Sequence, residues 1–152
     1  NPRGYLEFEP VKNLLRDSKW LCDARGRVIK IVAPLLTALP PGLACRVILC
    51  ERDLEEVLDS QQRMLVRRNR PLATTPERRR MLKDEYARTL ARVEATLVRR
   101  PCTQLLVIEH SRAVSDPLGT AKKVNKFLGG GLDVAKMASA IDPALHRNRA
   151  GT

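Results

Sequence analysis

The stretch Val47-Ile48-Leu49-Cys50-Glu51-Arg52-Asp53-Leu54-Glu55-Glu56-Val57-Leu58-Asp59-Ser60 sets a guanidinium eight residues before a hydroxyl. Both groups donate hydrogen bonds, and the guanidinium brings a fixed positive charge. Together they suit a phosphate. Eight residues is slightly more than two helical turns. Ser60 therefore returns toward the side from which Arg52 emerges if the chain is helical after Asp53. A competing reading pairs Arg52 with Asp53 or Glu56, a common arrangement for an arginine at a strand end.

Other chemistries find less support. The sequence contains no GxxxxGK[ST] and no GxGxxG, so it carries neither common phosphate-cradling loop. Gly129-Gly130-Gly131 follows a helical pattern and reads as its stop. Gly119-Thr120 lies within a helix start. His110 and His146 are 36 residues apart with no ligand-like spacing around them. Cys22, Cys45, Cys50 and Cys102 form no CxxC pair and match no zinc template, so no metal is expected. They read as reduced thiols, which points to the cytoplasm. Ser60 is in no GxSxG elbow. Glu55 and Glu56 stand where acids favour a helix dipole.

The elements that position these residues follow from periodicity. Pro10 opens a short helix over 10–17, and the β-branched run 27–32 predicts a strand. A helical turn is expected over 35–39, before Pro40-Pro41. Residues 44–50 are almost continuously apolar, as in a strand covered on both faces. Asp53 and Glu56 have capping-box spacing. Leu54, Val57, Leu58, Gln61, Met64 and Leu65 then share one helical face, which puts Arg52 at the carboxyl edge of the sheet, where open α/β sheets bind ligands.

Thr75-Pro76-Glu77 starts a second helix, with Leu82, Tyr86, Leu90, Val93 and Leu97 as its stripe. A third strand is expected over 103–109. Asp116-Pro117 caps a helix with Leu118, Ala121, Val124 and Leu128 as its core face, and a last helix covers about 133–140. Strands joined through helices make parallel sheets. The reading is one α/β domain over 1–152.

The 152 residues carry 28 Lys plus Arg against 17 Asp plus Glu, a net charge of +11. Apolar residues make up 43%, enough for a core. Aromatics are only 3%, too few for a platform that stacks single-stranded bases. No helix-turn-helix or zinc-finger spacing appears, so nucleic acid is disfavoured as a partner. No apolar run is long enough to span a membrane, and the first residues lack a basic-then-apolar leader pattern. Arg63, Arg67, Arg68, Arg70, Arg78, Arg79, Arg80, Lys83, Arg88 and Arg92 crowd two successive helices. They form either a solvated face or a field that steers an anionic donor or an acidic acceptor.

With these pieces in order, the chain resembles the P-loop sulfotransferase superfamily, which uses 3′-phosphoadenosine-5′-phosphosulfate as donor. It is more closely similar to a bacterial sulfotransferase-family group. The resemblance lies in Asn1 to Glu9, Arg46 to Met64, Asp116 to Leu132 and Asp142 to Arg149, and so covers most of the chain. It implies a P-loop NTPase-like parallel sheet flanked by helices. It implies that Arg52 and Ser60 hold the donor's 3′-phosphate, and that Arg147 and Arg149 take the place of a late basic loop closing on the same group. Lys30 fits the place of a catalytic lysine near the transferred group. The acceptor would be a hydroxyl or an amine.

The chain also departs from that pattern. The family's phosphosulfate loop precedes a segment like Asn1 to Glu9 and is missing, so the first strand–P-loop–helix unit is absent. Ile31 and Val32 follow Lys30 where a catalytic His often stands. His110, at a strand's carboxyl end, has the position of a base. A chain without the phosphate loop is expected to be inactive by itself, since the loop's amides and lysine neutralise the leaving group.

In the family that missing strand lies between the counterparts of 44–50 and 103–109. Without it, these two strands either pair with each other or leave edges that favour a homo-oligomer. Strand 27–32 is expected beside 44–50, parallel to it. The alternative to an enzyme is a basic α/β module that binds an anionic polymer.

Overall fold

Seven residues after Ala44, mostly apolar, form β1 (Cys45–Glu51), and seven more after Cys102 form β2 (Thr103–Glu109). The computed structural model describes residues 8–69 and 75–142. Among them β1 and β2 are hydrogen-bonded parallel neighbours in a two-stranded sheet. The Cys45 N–H donates to the Cys102 carbonyl at 3.1 Å, and Cys45 Sγ lies 3.8 Å from Thr103 Oγ1. The two strands therefore close up on each other, with no gap between them.

The helices are α1 (Leu54–Arg67), α2 (Pro76–Val98), α3 (His110–Ser115), α4 (Pro117–Leu128) and α5 (Val134–Ser139). Three 3-10 segments precede β1: Glu9–Asn13, Lys19–Ala24 and Ala33–Ala38. No helix among the described residues is long and apolar enough to cross a membrane.

The strand expected over 27–32 does not form; the stretch has no regular structure. Val28 is 94% exposed and Val32 54%. A β-branched run becomes a strand only when a neighbour takes its backbone groups and its side chains find a buried face. Arg27 and Lys30 interrupt the apolar sequence, and the described residues supply no third strand.

The chain divides into two units. The first comprises residues 1–45 and 89–104, the second 46–88 and 105–152. In the first, Leu97 and Val93 of α2 are almost wholly buried, and Val11, Leu14, Leu36 and Leu39 are the other core side chains. One guanidinium fastens the loop before β1: Arg100 donates to the carbonyls of Thr37 (3.4 Å), Leu39 (2.5 Å) and Pro40 (3.0 Å).

In the second unit the core side chains are Leu49, Leu58, Ile108 and Ala121. Leu118, expected to share a core face with Ala121, is instead 49% exposed. α4 begins on Asp116, whose Oδ1 accepts from the Gly119 N–H at 2.9 Å. A Cβ at Gly119 would collide with that carboxylate, so the glycine serves the cap. Gly129 ends α4 at φ 103°, the left-handed region that glycine enters at least cost. Arg46 Nη1 donates to the Leu128 carbonyl at 2.8 Å, which satisfies one of the helix's terminal acceptors.

α1 starts as its sequence demands. Asp53 Oδ1 accepts from the N–H groups of Glu55 (2.9 Å) and Glu56 (3.2 Å). Asp53→Ala is expected to lower stability by about 0.5–2 kcal/mol in urea unfolding, and Asp53→Ser by much less. A full-sized loss in the serine variant would show that the cap is not the cause.

α1 and α2 are joined by charge. Arg79 reaches Glu55 Oε2 and Asp59 Oδ1, each at 2.7 Å, and Lys83 Nζ lies 2.9 Å from Glu55 Oε1. Tyr86 donates to Gln61 Oε1 at 2.7 Å, so Gln61 on the apolar stripe has a polar task. Hydrogen bonds from Lys83 and then Arg79 hold the Glu55 carboxyl below its ordinary range. Its folded-state value thus lies below the unfolded one. This contribution to stability is complete above the unfolded value, about pH 4.3, and is lost as pH falls through the folded value. The unfolding midpoint is expected to drop more steeply on acidification below that pH in the parent than in Glu55→Gln. Identical acid profiles would refute this.

Candidate functional site

β1 ends at Glu51 and α1 begins at Leu54, so Arg52 leaves the carboxyl edge of the parallel sheet directly. Its Nε donates to Glu56 Oε2 at 2.7 Å. The Arg52 side chain is 26% exposed and that of Glu56 10%. Of the two acids adjacent to it in sequence reasoning, Glu56 is the partner, because Asp53 caps the helix. Glu56 therefore does not complete the capping box by reaching back to the cap residue.

Ser60 lies on α1, two turns beyond the strand end, and is exposed. The structure thus places Arg52 and Ser60 on one strand–helix unit, with a carboxylate already against the arginine.

β1 and β2 are both seven residues long, and Cys45 stands beside Thr103. In that register Arg52 and His110 each follow their strand by one residue. His110 therefore sits next to Arg52 in backbone level, about one strand spacing away. It opens α3, a helix that sequence reasoning missed, and its Nδ1 is buried. The sign available in the sequence was the equal spacing from the two apolar runs to Arg52 and to His110.

Lys30 is exposed and belongs to the first unit. It borders a hollow of about 90 Å³ with Phe8, Val11, Lys12, Val32 and Leu35. That is the volume of roughly three water molecules, too small for a nucleotide. Arg147 and Arg149 lie outside the described residues.

Among the other cations, Arg79 and Lys83 are committed to Glu55 and Asp59. In the second unit Arg63, Arg67, Arg68, Arg78, Arg80 and Arg88 are exposed, as is Arg92 in the first; Arg70 lies outside the described residues. No cluster of three or more His, Cys, Asp or Glu suited to a metal ion occurs among the described residues. No family model, curated protein or solved structure matches the chain.

Proposed function

We propose that the chain is a sulfotransferase-like α/β protein of P-loop type, whose β1–α1 junction takes the 3′-phosphate of 3′-phosphoadenosine-5′-phosphosulfate. The observation that supports this is Arg52 at the carboxyl end of parallel β1, with exposed Ser60 two turns along α1. Arg52 would supply charge and a planar pair of donors, and Ser60 an O–H donor. The fit is that of an anion site of low net charge, since Glu56 offsets Arg52. Lys30, Arg147 and Arg149 join the reading only through the family resemblance.

When bound, the donor supplies the sulfonate group. The acceptor's hydroxyl or amine attacks the sulfur, the bond from sulfur to the 5′-phosphate oxygen breaks, and 3′,5′-adenosine bisphosphate departs. The residues of this chain contribute by binding and orienting the nucleotide, which is where in-line transfer gains most from a protein.

A second reading is a non-enzymatic module for an anionic polymer, favoured by the exposed Arg63, Arg67, Arg68, Arg78 and Arg80. Calorimetric titration of the 152-residue chain with 3′,5′-adenosine bisphosphate over a salt series separates the two. A saturable one-to-one site with a shallow salt slope supports the nucleotide reading. No nucleotide site, together with steeply salt-dependent and composition-blind affinity for polyanions, supports the second and overturns the first.

A further inference from the structure

The Arg52–Glu56 bond is made by Nε. A guanidinium meets a phosphate along one of two planar edges, either Nε with one Nη or the two Nη together. With Glu56 on Nε, the edge left to face an incoming phosphate is the Nη1/Nη2 edge.

Glu56 is itself held in place. Its backbone N–H is bonded to Asp53 Oδ1 at 3.2 Å, it lies in the first turn of α1, and its side chain is 10% exposed. We propose that Glu56 is a positioning residue for anion recognition at the β1–α1 junction. It fixes the Arg52 fork so that the Nη edge receives a terminal phosphate. This rests on the reading that Arg52 binds the nucleotide's 3′-phosphate.

Two effects of Glu56 oppose each other. Its negative charge repels an anion at the site. Its grip removes rotamer freedom that a long arginine would otherwise lose on binding. If positioning is the larger effect, geometry and charge can be separated by substitution. Glu56→Gln keeps an acceptor oxygen at the same reach and removes the charge. Glu56→Asp keeps the charge and withdraws the acceptor by one methylene.

The test is titration of the parent, Glu56→Gln and Glu56→Asp with 3′,5′-adenosine bisphosphate, with thermal unfolding and heparin retention measured alongside. Glu56→Asp is expected to bind about threefold to tenfold more weakly, while Glu56→Gln binds at least as tightly as the parent. Heparin retention should not fall in either, because neither loses a cation. A purely structural role would lower the unfolding temperature and leave both dissociation constants unchanged. A purely electrostatic role would leave Glu56→Asp equal to the parent and tighten Glu56→Gln. Either pattern overturns the proposal. A parent chain with no saturable nucleotide site overturns the reading it rests on and the proposal with it. A parent that binds, with an unaltered Glu56→Asp variant, overturns the proposal alone.

Discussion

Arg52→Ala is expected to weaken binding of 3′,5′-adenosine bisphosphate by about tenfold or more. A hydrogen bond to a charged group contributes roughly 1.5–3 kcal/mol, and a factor of ten is about 1.4 kcal/mol. Ser60→Ala, which removes a neutral donor from an exposed position, should cost less. The arginine variant also strips Glu56 of its Nε donor while that carboxylate is mostly buried. A desolvated acceptor that loses its partner costs about 1–3 kcal/mol, so the variant should be less stable as well. The double variant Arg52→Ala/Glu56→Gln removes the charge and should recover part of that stability. It should recover none of the affinity. Calorimetric titration and urea unfolding read the two effects separately. Unchanged nucleotide affinity in a folded Arg52→Ala protein would remove Arg52 from the site.

Leu97→Ala should be the most damaging core substitution. Leu97 is 0% exposed, and Val93, one turn before it, 1%. Few other side chains are buried in the first unit, and its 3-10 segments contribute no long hydrogen-bonded ladder. Leucine-to-alanine changes at such sites cost about 2–5 kcal/mol through lost burial and the cavity left behind. Domains of this size have roughly 5–15 kcal/mol in total. The midpoint of urea unfolding should fall sharply in Leu97→Ala. It should hardly move in Val98→Ala, whose side chain is 68% exposed. A loss below about 1 kcal/mol at Leu97 would mean that this part of the chain is not held by the burial of α2.

The elements legible in the sequence were those whose signals are local. The apolar runs 44–50 and 103–109 became β1 and β2 to within one residue. The caps at Asp53, Thr75 and Asp116 opened α1, α2 and α4, because a short polar side chain beside a helix start answers to backbone geometry alone. The segment 27–32 was misread because strand propensity says nothing about whether a partner strand is at hand. α3 was missed because it follows β2 without a side-chain cap or a turn residue.

The Glu55–Asp59–Arg79–Lys83 cluster joins residues 20 to 28 positions apart, a distance that helical periodicity does not reach. At the candidate site, sequence reasoning offered Asp53 or Glu56 as the partner of Arg52. The choice follows once Asp53 is recognised as the helix cap, since one short carboxylate cannot serve both tasks well. Lys30 came from the family resemblance and from no spacing in the chain itself, and the structure gives it a separate setting.

Arg100 reaches back about 60 residues to hold the carbonyls of Thr37, Leu39 and Pro40. On the ribosome those carbonyls are made first, and their donor follows only after the whole 46–88 stretch. At the usual 5–20 residues per second, those intervening ~40 residues take about 2–8 s. For that interval the early segment waits without the helix and guanidinium that complete its unit. The vulnerable moment in the life of this protein is therefore its synthesis, when Val11, Leu14, Leu36 and Leu39 are within reach of chaperones and proteases.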